Sequence, residues 1–153
     1  MEILRATIRD IDRILEIERA CYDGPEAWGR QDWEFSLNSP LHDWYYAEDF
    51  DGTILAMGGG EMVHRTSGNV FYINGINTVP KARRHGYAKK LLRHIYFCYP
   101  LADYMVLTVR EANAGARDLY EKFGFRPYMR IQDHYQEPEE DAIMYRIECM
   151  LSE

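Results

Sequence analysis

The sequence predicts an α+β protein, in which helices pack on a sheet of six to seven strands. Two observations predict this class. Helix-like and strand-like segments alternate near both ends of the chain, whereas residues 44–79 contain three consecutive strand-like runs separated by turn signals. The length of 153 residues suits one domain and is enough to bury most of the apolar surface. We therefore expect residues 1–153 to form a single domain.

The first part of the chain predicts one strand and two helices. Residues 3–8 are strand-like, and Asp10 is expected to cap a helix whose apolar residues recur at near-helical spacing. This helix should end near Tyr22, because a Gly-Pro turn follows it. Residues 28–37 indicate a short second helix, which the following Asn-Ser-Pro sequence should end.

The central segment predicts three antiparallel strands between residues 44 and 79. Turn signals at residues 49–52 and 65–69 should join them as hairpins. Residues 58–60 are all glycine and interrupt the middle strand. A glycine run inside a strand more often marks a bulge or a close approach of two backbones than a chemical role.

The last part of the chain predicts two helices and three strands. We expect a third helix over residues 84–98, a fifth strand over residues 104–110 and a fourth helix over residues 113–123, with Gly124 just beyond its end. Two further strands should complete the sheet. The acidic run at residues 137–141 is most simply a solvated hairpin loop, and repulsion of acidic substrates is an additional role for it.

The charge and hydropathy exclude several classes of partner. The formal charge of −7 disfavours nucleic acid, since binding phosphates requires a basic surface, and it suits a cationic substrate. No run approaches the roughly 18 apolar residues of a membrane span. Charged residues interrupt the N-terminal apolar segment, so no signal peptide is expected. We therefore predict a cytoplasmic protein that binds neither nucleic acid nor membrane.

The cysteines and histidines predict neither disulfide bonds nor a metal site. The three cysteines lie far apart and are expected to be reduced thiols. The five histidines are scattered, with no i, i+4 pair and no neighbouring Cys-x-x-Cys.

Residues 79–92 are the most informative part of the chain: an apolar strand-like segment runs through a basic, glycine-containing turn into an amphipathic helix. A helix start leaves several backbone N–H groups unpaired and carries partial positive charge, so anions bind there. The order Arg83-x-x-Gly86-x-Ala88 places small residues where a pyrophosphate would approach the main chain. Arg84 and two lysines add positive charge. The pattern alone fits an ordinary basic helix start with a solvated face equally well.

Two further segments carry recognisable patterns. Residues 107–125 combine a strand, an Asn that starts a helix, a Leu-Tyr pair and a closing Gly-Phe. With the basic turn, residues 73–125 resemble the acetyl-coenzyme A binding half of the GCN5-related N-acetyltransferase (GNAT) superfamily. The Asp-His-Tyr sequence at residues 133–135 and the Glu-Asp-Ala-Ile-Met sequence at residues 140–144 resemble the branch that acetylates protein N-termini, typified by the ribosomal-protein-alanine N-acetyltransferases.

The resemblance implies the GNAT fold, a mixed and mostly antiparallel sheet that splays apart between strands four and five. It implies acetyl-coenzyme A (acetyl-CoA) as cosubstrate. Main-chain groups of Ile76, Asn77 and Thr78 would pair with the pantetheine arm, and Asn113 would both cap the fourth helix and contact the cofactor. Seven consecutive residues would surround the pyrophosphate, namely Arg83, Arg84, His85, Gly86, Tyr87, Ala88 and Lys89.

The same resemblance assigns Tyr120 as the general acid, facing the thioester sulfur. Without the family motif, Tyr120 would be interpreted as a core aromatic residue. Trp28, Tyr72 and Tyr135 are candidates for binding the acceptor, with a structural role as the alternative for Trp28 and Tyr135. Further candidates flank the acceptor groove of the family, namely Tyr22, Asp23, Glu26 and Trp33.

One position departs from the family pattern. The fifth strand carries Thr108 where N-terminal acetyltransferases usually have Glu or His, and threonine is not a base near neutral pH. Three alternatives are open: a carboxylate such as Glu61 or Glu111 acts through water, Tyr72 helps, or no strong base is needed.

The pKa of the acceptor bears on this choice. An α-amine with a pKa of roughly 8 costs about 1.4 kcal/mol to deprotonate at pH 7, whereas a lysine with a pKa near 10.4 costs about 4.6 kcal/mol. Loss of a base would therefore harm lysine acetylation more than N-terminal acetylation. We predict an acetyl-CoA dependent N-acetyltransferase, monomeric or homodimeric, that acetylates a protein or peptide α-amine by direct attack in a ternary complex. A small-molecule amine is the alternative acceptor, and a non-catalytic module that binds coenzyme A is a third hypothesis.

Overall fold

The backbone forms a seven-stranded sheet with four helices, in a computed structural model that describes residues 1–22, 27–136 and 138–149. The strands are β1 Glu2–Arg5, β2 His42–Glu48, β3 Ile54–Arg65, β4 Gly68–Thr78, β5 Tyr104–Arg110, β6 Arg126–Tyr135 and β7 Glu140–Glu148. The helices are α1 Ile11–Cys21, α2 Arg30–Asn38, α3 Tyr87–Cys98 and α4 Ala114–Phe123. The strand order is β1-β2-β3-β4-β5-β7-β6, and each neighbouring pair is antiparallel except the parallel pair of β4 and β5. The predicted α+β class and the mixed, mostly antiparallel sheet are confirmed.

The N-terminal segment differs from the prediction at its first turn. β1 ends at Arg5, because Thr7 caps a short 3-10 turn before α1. The Asp10 carboxylate accepts a hydrogen bond from the backbone N–H of Thr7 at 2.8 Å and makes no cap bond to α1. Asp10 thus occupies the N-cap position of α1 as expected, but its side chain does not cap that helix, since the carboxylate closes a capping box on the preceding turn.

The third helix begins three residues later than predicted. α3 starts at Tyr87 because Arg84 and Gly86 adopt positive φ angles of 67° and 81°. A right-handed helix requires negative φ, so these residues form a loop before the helix instead of its first turn. The fifth strand and the end of α4 lie where predicted, and Gly124 follows α4 with φ 125°.

The glycine run of β3 allows neighbouring backbones to approach closely. A Cβ atom on Gly59 would lie 2.1 Å from the carbonyl oxygen of Asp43 on β2. A Cβ atom on Gly60 would lie 1.8 Å from the carbonyl oxygen of Tyr72 on β4. The register of β3 with β4 also shifts between Gly59 and Gly60. Both structural expectations for this run, a bulge and a close backbone approach, are confirmed.

The parallel strands β4 and β5 separate after a short stretch of pairing. The pairing joins Val70–Tyr72 of β4 to Tyr104–Val106 of β5. Opposite the glycine run, the register leaves Asn74 of β4 as an extra residue. A bulge of this kind bends its strand, so β4 continues alongside β3 while a gap opens towards β5. The predicted splay between strands four and five is confirmed.

Two hydrophobic cores lie on opposite faces of the sheet. On one face α1 and α2 contribute Ile14 and Trp33, and on the other α3 and α4 contribute residues such as Leu91. Successive residues of a strand face opposite sides, and Ala56 and Met57 of β3 accordingly belong to different cores. Because α3 follows β4 and α4 follows β5, both helices begin at the edge where these strands separate. Among the described residues, no helix combines the length and the apolar character needed to cross a bilayer.

Candidate active site

A cleft of about 360 Å³ lies where β4 and β5 separate. Its walls come from these two strands, from β2 and β6, and from α1, α2 and α4 with the residues next to them. The residues predicted from the sequence that line it are Tyr22, Trp28, Trp33, Ile76, Asn77, Thr108, Asn113, Tyr120 and Tyr135. The fold therefore brings together residues predicted for the cofactor, for the chemistry and for the acceptor.

Tyr120 belongs to the core and reaches the cleft. It is 7% exposed, and its ring centroid lies 5.9 Å from that of Phe125 and 6.3 Å from that of Tyr145. Burial raises the pKa of Tyr120, and Tyr22 and Tyr135 act in the same direction. The phenol therefore keeps its proton at neutral pH and can donate a hydrogen bond to an atom in the cleft.

The start of α4 and the end of β5 form one wall of the cleft. Asn113 Oδ1 accepts a hydrogen bond from the backbone N–H of Ala116 at 3.1 Å, which confirms the predicted N-cap. Thr108 of β5 lines the same wall. The contact of Asn113 with a cofactor stays a prediction.

The β4 wall offers main-chain groups. Beyond Tyr72, no strand among the described residues pairs with the edge of β4 that faces β5. Ile76 and Asn77 line the cleft, whereas Thr78 lies past it and its carbonyl accepts a hydrogen bond from Arg83 Nε at 3.1 Å. An unpaired strand edge can bind an extended molecule that carries amide groups.

The basic loop, residues 83–86, leads into α3 next to this edge. Apart from its two chain neighbours, no described residue would lie within 4 Å of a Cβ atom on Gly86. Residues 87–89 form the first turn of α3, which has no side-chain cap. The first N–H groups of a helix lack partners within the helix. The His85 ring lies beside that of Tyr87, 6.0 Å between centroids.

Three tryptophans form a cluster on the α1 and α2 side of the cleft. The ring centroid of Trp28 lies 4.9 Å from that of Trp33 and 5.8 Å from that of Trp44, and the centroids of Trp33 and Trp44 are 4.6 Å apart. All three pairs are arranged edge to face. Trp44 Nε1 donates a hydrogen bond to Ser36 Oγ at 2.8 Å. Trp33 Nε1 is buried and has no hydrogen-bond partner among the described residues. An unpaired buried donor costs free energy.

Glu18 supplies the only carboxylate that lines the cleft in the part of the chain that the structure describes. It is 5% exposed, and its Oε2 accepts a hydrogen bond from the backbone N–H of Trp28 at 2.7 Å. Burial raises the pKa of Glu18, the bond from Trp28 lowers it, and the charge of Asp32 raises it further. One turn later, Tyr22 donates a hydrogen bond to Asn77 Oδ1 at 2.6 Å, and burial of the hydroxyl group raises the pKa of Tyr22 to about 12.

The three base candidates named from the sequence lie outside the cleft. Glu61 Oε2 lies 2.7 Å from Nε2 of His42 in a neighbouring hollow. Glu111 forms an ion pair of 2.6 Å with an arginine of β6. The Tyr72 hydroxyl accepts a hydrogen bond from Arg65 at 2.8 Å. Their proposed roles as a base, and that of Tyr72 in binding the acceptor, gain no support from this placement.

The C-terminal hairpin closes the cleft from the side of β6. Tyr135 and His134 both line the cleft, and their ring centroids are 4.8 Å apart. The guanidinium of Arg110 lies over the Tyr135 ring at 4.4 Å and pairs with Glu140 at 3.1 Å. The cation–π contact and the ion pair fix Tyr135 at the cleft. Two predicted acceptor-binding residues lie outside the described part of the chain, Asp23 and Glu26.

Sequence reasoning missed five polar or aromatic residues of the cleft, namely Glu18, Trp44, Asn74, Arg110 and His134. For Glu18 a signal existed, because it follows Ile11 and Ile14 at helical spacing and so lies on the apolar face of α1. A carboxylate at such a position is unusual enough to indicate a role. The other four depend on the bulge of β4 and on contacts between distant elements.

Known proteins resemble this chain in sequence and in fold. The acetyltransferase (GNAT) family model matches residues 11–125. An uncharacterized N-acetyltransferase of Methanocaldococcus jannaschii is 26% identical over 155 residues, which cover 95% of this chain and 91% of that protein. The ribosomal-protein-S18-alanine N-acetyltransferase from Escherichia coli has a TM-score of 0.83 at 20% identity, covering 97% of this chain and 93% of that one. Arabidopsis thaliana NAA60 in complex with a bisubstrate analogue has a TM-score of 0.80 at 17% identity, covering 96% of this chain and 98% of that one.

The two structural likenesses have low sequence identity and show a shared fold. The family model covers well over half of the chain, from α1 to the residue after Gly124. Its matched region includes the basic loop, both separated strands and Tyr120. This chain therefore belongs to the acetyltransferase (GNAT) family and is an acetyltransferase.

Proposed function

We propose that this chain transfers the acetyl group of acetyl-CoA to the α-amine of a protein or peptide N-terminus. The observation that carries the proposal is the cleft between β4 and β5, in which an unpaired strand edge faces the buried Tyr120. An extended thioester bound along that edge would bring its sulfur towards α4.

The β4 edge and the basic loop support acetyl-CoA as the cosubstrate. Main-chain groups of residues 76–78 would pair with the pantetheine, and Asn113 would contact the same arm. The N–H groups of residues 84–89, together with the charge of Arg83, would hold the pyrophosphate, helped by the open space over Gly86 and by the uncapped start of α3. Arabidopsis thaliana NAA60, a protein of the same fold, has been solved in complex with acetyl-CoA.

The opposite walls of the cleft support a peptide as the acceptor. Trp28 from the α2 side and Tyr135 from the hairpin offer aromatic surfaces. Relatives of the same fold include an enzyme named for the alanine of a ribosomal protein and the NatC complex bound to a Gag peptide. The protein alanine in the name of the one and the peptide bound to the other make a protein or peptide the first candidate for the acceptor here.

The chemistry that fits this cleft is direct attack in a ternary complex. The neutral amine nitrogen forms a bond to the thioester carbonyl carbon, and the C–S bond breaks with its electron pair going to sulfur. Tyr120 donates its hydrogen bond to the departing thiolate, which lowers the barrier because the sulfur gains negative charge in the transition state.

Release of free coenzyme A from acetyl-CoA tests the proposal. We expect turnover with peptides that begin with Ala or Ser and none with peptides whose N-terminus is blocked. Turnover of a free diamine without turnover of the peptides would favour a small-molecule acceptor instead, which the acidic net charge of −7 also suits. Release no faster than spontaneous hydrolysis with every amine would leave only a module that binds coenzyme A.

A further inference from the structure

We propose that Glu18 receives the proton that the acceptor amine must lose, a role that Thr108 cannot perform. The inference rests on the proposed function and adds the proton acceptor to it. Among the described residues that line the cleft, Glu18 is the only carboxylate. A general base must lie within reach of the proton that it removes, directly or through one water.

The position of Glu18 is fixed by a single hydrogen bond. Its Oε2 accepts the backbone N–H of Trp28 at 2.7 Å, and the side chain is almost fully buried. A carboxylate has two oxygens and about four lone pairs, so the bond from Trp28 leaves capacity to accept a second proton donor. An ammonium group that enters the cleft is such a donor.

The surroundings increase the affinity of the Glu18 carboxylate for a proton. Burial raises the pKa of Glu18 above that of an ordinary glutamate, which makes it a stronger proton acceptor. The titratable groups near Glu18 or across the cleft are Cys21 and Tyr22 of α1, Asp32 of α2, Tyr120 of α4, Arg110 of β5, and His134 and Tyr135 of β6. The positive charge of Arg110 is paired with Glu140, so it does not act on Glu18 as an isolated charge.

Tyr22 connects Glu18 to the reacting region. It lies one helical turn after Glu18, and its hydroxyl bonds to Asn77 on the β4 edge at 2.6 Å. Tyr22 interacts electrostatically with Glu18 and also with Tyr120. Tyr22 thus interacts with both Glu18 and the tyrosine that donates a hydrogen bond to the leaving thiolate.

The proton balance of the reaction requires two losses from nitrogen. The acceptor enters as an ammonium ion and passes one proton to the Glu18 carboxylate, which leaves a neutral amine. After the C–N bond has formed, the nitrogen loses its second proton while the C–S bond breaks, and that proton ends on the coenzyme A sulfur. Glu18 then releases its proton to solvent, so one proton is released in each cycle.

Substitution of Glu18 by Gln tests the inference. The carboxamide oxygen can still accept the N–H of Trp28, but the side chain can no longer take up a proton. The variant would then require an amine that is already neutral in solution. We expect kcat/KM for an Ala-initiated peptide to fall roughly a hundredfold at about pH 6 and threefold or less at about pH 9, because the α-amine has a pKa of roughly 8.

Three further measurements keep the outcome unambiguous. Glu16→Gln, on the exposed face of the same helix, should change nothing at any pH. Glu18→Asp should lose rate but keep the pH dependence of the wild type. A peptide whose terminal amine is replaced by an uncharged hydrazide should react at similar rates with the wild type and with Glu18→Gln.

The two proposals fail in different ways. Suppose that the wild type turns over and that Glu18→Gln lowers kcat/KM by the same factor at every pH and for both the amine and the hydrazide. Glu18 would then be a structural residue, and the inference would be overturned. Absence of wild-type turnover with every α-amine would overturn the proposed function, and the inference with it.

Discussion

At the scale of single residues, burial gives Tyr120 the property that its role requires. A group that hydrogen-bonds a departing thiolate must keep its own proton, and burial raises the pKa of Tyr120. A thiol has a pKa of about 8.5, so complete proton transfer from the phenol to the thiolate is unfavourable. The benefit of Tyr120 is therefore that of a hydrogen bond to a charged group, about 1.5–3 kcal/mol.

Tyr120→Phe removes that hydrogen bond and keeps the ring in the core. We expect kcat to fall about ten- to hundredfold, with little change in KM for acetyl-CoA, because each 1.4 kcal/mol is worth about a factor of ten. Steady-state kinetics measure both constants. Tyr128→Phe, an exposed tyrosine of β6 outside the cleft, is the matched control. An unchanged kcat in Tyr120→Phe would refute the role.

The raised pKa of Tyr120 also predicts how kcat of the wild type depends on pH. Because the pKa of Tyr120 is raised, the phenol stays protonated above the range in which an ordinary tyrosine ionises. We therefore expect kcat to show no loss between about pH 8 and about pH 10, where an ordinary tyrosine would begin to titrate. A pH–rate profile measures this, and a loss of rate with an apparent pKa below about 9 that disappears in Tyr120→Phe would contradict it.

At the scale of elements, the site depends on the meeting of β3 and β4. The glycine run of β3 lets the two backbones approach, the register shift leaves Asn74 in excess, and β4 bends away from β5. The cleft is thus a consequence of backbone packing in the neighbouring pair of strands. A side chain in the run would push β3 and β4 apart and disturb the cleft without touching it.

Gly60→Ala and Gly115→Ala should have opposite effects on stability. The added Cβ on Gly60 would overlap the carbonyl of Tyr72, which we expect to cost about 1–3 kcal/mol or more. On Gly115, within α4, a Cβ would meet nothing within 4 Å, and Ala should stabilise the helix by roughly 0.5–1 kcal/mol. Urea unfolding measures both free energies. Equal stability of the two variants would show that β3 relaxes around the new methyl group.

At the scale of the whole molecule, the net charge is negative, while the cofactor loop concentrates positive charge. The net charge of −7 should attract cationic acceptors over several ångströms, while the cations of residues 81–90 provide a local site for the phosphates of coenzyme A. The two substrates of the proposed reaction would thus be drawn to regions of opposite charge.

Acceptor peptides that differ only in a charge far from the N-terminus test whether the negative net charge attracts the acceptor. We expect a Lys-containing peptide to have a several-fold higher kcat/KM than its Glu-containing counterpart at about 0.05 M salt, and the two to converge at about 0.5 M, because salt screens charges beyond a few ångströms. A peptide with Gln at that position should lie between them. A preference that persists at high salt would indicate a direct contact instead of a field.

The sequence by itself determined the elements and the cofactor half of this protein. Periodicity gave the fifth strand and the end of α4, and the local spacing of the basic loop, Asn113 and Tyr120 was enough to identify the family, because each motif lies within one turn or one helix. Only the tertiary structure decided what surrounds Tyr120. The bulge at Asn74, the burial of Glu18 and the distance of Glu61 from the cleft all depend on which strands and helices pack together, and contacts between residues far apart in the chain leave no fixed spacing in the sequence.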